Sequence, residues 1–113
     1  MTEWDGSGCI FCRIAAGTEP ATIRYQDEEV LVFLNRLHAA PVMLLVVPRL
    51  HLTQLQLWQG GLIAKVSRIA TEMGASYCPG GFRILSNFGE DSLQTQDHGH
   101  LHVIGGARLG HYL

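Results

Sequence analysis

Apolar and polar positions along this chain follow two different periods, and the switches between them mark its elements. Cys9 to Ala16, Cys-Ile-Phe-Cys-Arg-Ile-Ala-Ala, reads as a short helix stopped by Gly17, a residue that readily takes the left-handed conformation closing a helix. Thr22–Tyr25 reads as a strand, Gln26-Asp27-Glu28-Glu29 as a hairpin turn and Val30–Leu34 as the returning strand. A loop over Asn35–Pro41 leads to Val42–Val47, an apolar run suited to a central buried strand and ended by Pro48. Beyond a turn at Gly60-Gly61, Leu62, Ile63, Val66, Ile69, Ala70 and Met73 recur with helical spacing. Lys65, Arg68 and Glu72 take the other side, which predicts an amphipathic helix of about four to five turns. Phe82–Phe88 is the next strand, Gly89–Thr95 a polar loop and His98–Ile104 the last strand. Five strands with one long and one short helix predict an α+β domain whose sheet is mostly antiparallel.

A chain of 113 residues suits a single domain spanning 1–113, with residues 1–8 expected as a flexible N-terminal segment. The 47% apolar and 16% charged content argues for a compact fold and against disorder. A formal charge of −2 provides no basic field, so a nucleic-acid duplex is not an expected partner, whereas a single nucleotide needs only a local phosphate site. The opening Met-Thr-Glu-Trp-Asp is acidic where a signal peptide is basic, and no apolar run is long enough for a bilayer, so the chain reads as cytoplasmic with no membrane partner.

Three cysteines in such a setting do not make a disulfide framework. Cys9 and Cys12 form a Cys-x-x-Cys pair, either a redox couple or half of a zinc site. The redox reading asks for a preceding strand and finds none, which favours zinc if two further ligands exist. Cys78, before Pro79-Gly80-Gly81, reads as a half-buried residue at a helix end.

The most informative motif is Asp-His-Gly-His-Leu-His-Val-Ile-Gly-Gly, which sets His98, His100 and His102 on alternate positions. On a strand they would share one face, with Leu101 and Val103 on the other. Imidazole titrates near neutrality and is a common metal ligand, so the row suits phosphoryl chemistry or metal binding.

Taken in order, Cys-Ile-Phe-Cys-Arg-Ile, Val-Leu-Val-Phe-Leu-Asn, Ala-Pro-Val-Met-Leu-Leu-Val-Val-Pro-Arg-Leu-His, Ser-Asn-Phe-Gly and His-Gly-His-Leu-His-Val-Ile-Gly-Gly closely resemble the histidine triad (HIT) superfamily in its Hint-type branch, from Cys9 to Gly106. The resemblance implies a homodimeric hydrolase or nucleotidyl transferase that binds a purine nucleotide or nucleotide conjugate. Its substrates would be nucleoside phosphoramidates or dinucleoside polyphosphates, attacked at the α-phosphate through a nucleotidyl-histidine intermediate. By position, His100 matches the nucleophile and His102 the donor to the phosphate oxygens. Asn87, Gln94 and Thr95 match positions around the phosphate and leaving group, and Asn35 the position that holds the ribose hydroxyls. A zinc ion in bacterial members is held by residues matching Cys9, Cys12, His51 and His98, a closed donor set that implies a structural metal. The competing placement of zinc on His98, His100 and His102 leaves the cysteine pair without a partner.

The departures from the pattern bear on activity. Met43 replaces a histidine in the central strand and cannot carry a proton, so catalysis is expected to be limited there. Asn35 replaces an acidic ribose ligand, Leu93 a glycine in the phosphate-side loop and Gly99 an apolar residue between two triad histidines. The C-terminal Ala-Arg-Leu-Gly-His-Tyr-Leu lacks the family's Trp-Pro-Pro ending. The alternative function is a weakened HIT-fold protein that binds nucleotides in a regulatory role.

Overall fold

The computed structural model describes residues 8–111, so the expectation of a flexible segment over residues 1–8 falls, apart from Gly8, outside the described residues. The elements are α1 (Ile10–Ala16), β1 (Ile23–Gln26), β2 (Val30–Leu34), β3 (Val42–Pro48), α2 (Gln54–Gln59), α3 (Ile63–Tyr77), β4 (Phe82–Leu85), a 3-10 turn (Glu90–Ser92) and β5 (Leu101–Gly105). The strands form one five-stranded sheet in the order β1-β2-β3-β5-β4, with every pairing antiparallel. No helix among the described residues is long and apolar enough to cross a membrane.

Both faces of the sheet are covered, which explains why β2 and β3 are apolar at successive positions. On one face Val30, Val32, Leu44, Val46, Leu101 and Val103 pack against Val66, Ile69 and Ala70 of α3 and Leu57 of α2. On the other, Leu31, Phe33, Leu45 and Val47 meet Cys9, Phe11 and Ile14 on the N-terminal helix. Each fully buried aliphatic side chain contributes about 1.5–3 kcal/mol, so the α3 face anchors the sheet and the shorter α1 face needs further ties.

Those ties are polar and local. Cys9 caps α1, its sulfur accepting the Cys12 N–H at 3.4 Å, and Gly17 ends the helix at φ 80°. Arg49 then clamps three segments together, donating to Ala15 O at 3.0 Å, Asp27 O at 2.6 Å and Gln26 Oε1 at 2.8 Å. Asp27 shapes the β1–β2 turn by accepting the Glu29 and Val30 N–H groups, both at 2.8 Å, and Lys65 of α3 reaches across to Asp27 and Glu29.

Three expectations are corrected. A second short helix, α2, stands where none was expected, opened by a reciprocal Thr53/Gln56 capping box. The last strand begins at Leu101, so His98 and His100 precede it, and β4 correspondingly ends at Leu85, the partner of His102, instead of running to Phe88. The cause is that α2 and its approach take over the backbone groups a ladder would use: Gly99 N–H donates to Leu52 O at 2.6 Å and His100 N–H to the Gln54 side chain at 3.0 Å. Gly99 permits this approach, because a Cβ there would lie 2.9 Å from Thr53 O and 3.0 Å from Leu57 Cβ.

Candidate functional site

Although two of the three triad histidines lie outside the strand, they still gather on the α1 side of the sheet. The Phe11 ring meets His98 and His100 edge-on at centroid distances of 5.7 and 5.1 Å, and His100 meets His102 at 5.0 Å. Their roles are separated by what each ring nitrogen faces.

His98 is fully buried, and its Nε2 lies 2.7 Å from Pro48 O. A carbonyl only accepts, so Nε2 carries the proton and Nδ1 presents a lone pair. That Nδ1 lies 3.4 Å from both Cys9 Sγ and Cys12 Sγ, while His51 Nδ1 lies 3.2 Å from Cys12 Sγ. Donor atoms of Cys9, Cys12, His51 and His98 all fall within 4.8 Å of one another. Around a tetrahedral zinc with typical bond lengths, sulfur and nitrogen ligands stand about 3.5 Å apart, so the spacing fits such an ion. The second contact of His98, to Pro48 O, is the outer hydrogen bond that orients a metal-bound imidazole. Burial pushes the His98 imidazole down to about 4, which keeps it neutral and able to ligate at neutral pH. These four residues can hold a metal ion.

His100 is turned the other way. Its Nδ1 lies 2.7 Å from His98 O, so Nδ1–H donates and Nε2 is the nitrogen left with a free lone pair. Burial lowers its basicity, against a smaller opposing effect of the bond to His98. The main chain here is held from both sides: Gln54, 2% exposed, accepts the His100 N–H at 3.0 Å and donates to His100 O at 3.2 Å. Ser86 O–H donates to the same carbonyl at 2.6 Å and itself accepts from Trp58 Nε1 at 3.2 Å. Sequence reasoning did not single out Gln54 or Ser86. The Thr-x-x-Gln capping box before Leu57 was a readable sign of α2, but nothing in the sequence shows that Gln54 reaches a residue 46 positions away.

His102 lies on β5 opposite Leu45. Burial, with His100 nearby, pushes its imidazole down to about 4, and its buried Nε2 has no hydrogen-bond partner among the described residues. Both His100 and His102 line a cavity of about 620 Å³. Ile10, Phe11, Ile14, Phe33 and Leu45 form its apolar wall. The exposed Arg36, His38 and Thr95 stand at its edge with the half-buried Asn35 and Gln96. A volume of this size with an apolar wall and a few converging polar groups is typical of a small-ligand site.

Of the other expected site residues, Asn35 and Thr95 line the cavity, whereas Asn87 and Gln94 do not. Asn35 Oδ1 accepts the Leu37 N–H at 3.0 Å. Gln94 accepts from Gly89 N–H at 2.7 Å and donates to Gln96 O at 3.0 Å, folding the loop that brings Thr95 and Gln96 to the cavity. Leu93 precedes it at φ 63°, 79% exposed. Met43 is buried on β3 and outside the lining, and its sulfur accepts the Ala39 N–H at 3.1 Å. Sequence reasoning also passed over Arg36, His38 and Gln96.

A profile of the HIT domain matches residues 16–109. Protein HitA of Neisseria gonorrhoeae is 36% identical over 104 residues, covering 86% of this chain and 94% of that protein. A HIT family hydrolase from Clostridium thermocellum superposes with a TM-score of 0.84 at 27% identity, covering 95% of this chain and 97% of the other. A zinc-bound histidine triad family protein from Mycobacterium smegmatis superposes with a TM-score of 0.78 at 28% identity, covering 89% of this chain and 76% of the other. The chain belongs to the HIT family.

Proposed function

We propose that this HIT family member is a hydrolase that moves a nucleoside monophosphate from a phosphoramidate or a dinucleoside polyphosphate first to His100 and then to water. The observation that carries this reading is the bond between His100 Nδ1 and His98 O, which leaves Nε2 as the reactive nitrogen at a cavity of nucleotide size. Nε2 would attack the α-phosphorus as the phosphorus–leaving-group bond breaks; a leaving amine takes up a proton from solvent. Water then attacks the nucleotidyl-histidine, the nitrogen–phosphorus bond breaks, a proton returns to solvent and neutral His100 is regenerated. His102, whose buried Nε2 has no hydrogen-bond partner among the described residues, would supply a donor to the phosphoryl oxygens as charge builds on them. The apolar wall from Phe11 to Leu45 would hold the base, and Asn35 and Thr95 would meet the ribose and phosphate. Asn87 and Gln94 belong to the same proposal as groups on the phosphate and leaving-group side.

The metal in this reading is zinc, at Cys9, Cys12, His51 and His98, with a structural role. Two thiolates and two imidazoles complete a tetrahedral site with no open position, and the ion ties α1 to the segment carrying His100. The protein is further proposed to act in the cytoplasm as a homodimer, for which β4 offers an edge strand and α3 a long helix beside it.

A second reading, a nucleotide-binding protein of low turnover, is favoured by Met43, whose sulfur serves a backbone N–H, and by Asn35, which carries no charge. Hydrolysis of a nucleoside 5′-phosphoramidate, followed with wild type and His100→Ala, tests the first reading. Turnover that vanishes in the variant is the expected result, and equal turnover in both would overturn the mechanism. Binding without turnover in wild type would leave the second reading standing.

A further inference from the structure

Among the described residues, the cavity wall contains no acidic side chain, yet it carries Arg36 and His38 beside Asn35 at its edge. The loop presenting them is held at three points. Asn35 Oδ1 accepts from Leu37 N–H, Met43 Sδ from Ala39 N–H, and Arg36 Nη2 donates to Glu19 at 2.9 Å and to Pro20 O at 3.4 Å. Arg36 is thus anchored through one nitrogen, and its Nε and Nη1 have no hydrogen-bond partner among the described residues. Its side chain remains 65% exposed, so those donors are open to a ligand.

Strand register locates this pair relative to the triad. Phe33, Leu45 and His102 lie in one row across β2, β3 and β5, so the end of β2 stands two interstrand spacings, about 10 Å, from His102. A nucleotide whose phosphate sits at His100 and His102 would therefore carry its sugar along the row toward Asn35 and Arg36. A free ribose hydroxyl is best held there by a charged acceptor, and the described residues lining the cavity include no carboxylate, Glu19 being paired with Arg36 outside the lining. A guanidinium with free donors suits a phosphate.

We infer that Arg36 and His38 form a second anion subsite, which selects nucleotides bearing an additional phosphate on the ribose at the 2′ or 3′ position. This rests on the reading of the cavity as a nucleotide site. Glu19 offsets part of the Arg36 charge and is itself shared with Arg13.

Calorimetric titration of the metal-loaded protein with AMP, ADP, adenosine 2′,5′-bisphosphate and adenosine 3′,5′-bisphosphate separates the possibilities without any turnover. One bisphosphate isomer is expected to bind on the order of tenfold to a hundredfold more tightly than AMP, as for a charge-assisted contact, and to lose that advantage as salt rises. ADP, whose extra phosphate extends from the 5′ position, should not match it. Arg36→Gln, a change at an exposed side chain, should bring the favoured bisphosphate to within about threefold of AMP. AMP binding with no bisphosphate advantage, or an equal gain for ADP, would overturn the subsite while leaving the nucleotide reading in place. Absence of binding by all four would overturn both.

Discussion

Replacing Gln54 by methionine keeps the volume of a buried side chain and removes both of its hydrogen bonds to the His100 backbone. The His100 N–H has no other acceptor in the structure as described, so it would be left buried and unpaired at a cost of about 1–3 kcal/mol. The His100 carbonyl keeps the Ser86 hydroxyl, so the second loss costs only about 1 kcal/mol. Together they amount to about 2–4 kcal/mol. At about 4 °C per kcal/mol for a domain of this length, thermal unfolding of the metal-loaded protein should fall by about 8–16 °C. Ser86→Ala alone should cost about 1 kcal/mol, and the double variant should exceed the sum of the two because the carbonyl then loses both donors. The functional readout is separate from the stability one. A loosened His100 should lower kcat of phosphoramidate hydrolysis about tenfold to a hundredfold, with KM changed only a few-fold. Unfolding of Gln54→Met within about 0.5 kcal/mol of wild type would refute the clamp.

Leu93→Gly should raise the midpoint of thermal unfolding by about 2–4 °C, since a leucine at φ 63° pays a left-handed penalty and loses little packing when removed at 79% exposure; a lower midpoint would refute this. The Cys9→Ser, Cys12→Ser double variant should carry no zinc by elemental analysis, where the wild type is expected to carry a single ion per chain, and an unchanged zinc content would remove the metal site. Met43→His should raise the hydrolysis rate about tenfold or more, because residue 43 lies diagonally across the sheet from His102 and an imidazole there would give its Nε2, which has no partner among the described residues, a neighbour able to exchange protons. A rate no higher than wild type would show that the replaced histidine is not the limiting defect.

Much of this architecture was legible because one physical signal dominated each element. The helical spacing from Leu62 to Met73 and the apolar runs of β2 and β3 report burial directly. The four residues that can hold a metal ion were legible from motif resemblance, and the structure adds why His98 turns its Nδ1 lone pair toward the two sulfurs. The start of β5 was not legible, because alternation of histidines looks the same whether their backbone partners come from a neighbouring strand or from Gln54 and Leu52. The α2 helix was missed although Thr53, Gln56 and Gly60 frame it; Leu55 and Trp58 are exposed on it, which obscures its apolar stripe. Arg36 and His38 carry no local pattern at all, since their place at the cavity follows from the loop anchors on Glu19 and Met43.

The measurement that reaches furthest into the mechanism is identification of the covalent adduct in a rapidly quenched single turnover with a nucleoside 5′-phosphoramidate. Peptide mass spectrometry locates the residue, and NMR of the isolated peptide distinguishes the two ring nitrogens. Because His100 Nδ1 donates to His98 O, the nucleotide should be found on His100 and on Nε2. An adduct on Nδ1, an adduct on another residue, or product formed with no adduct at any quench time would contradict the assignment of His100 as the nucleophile.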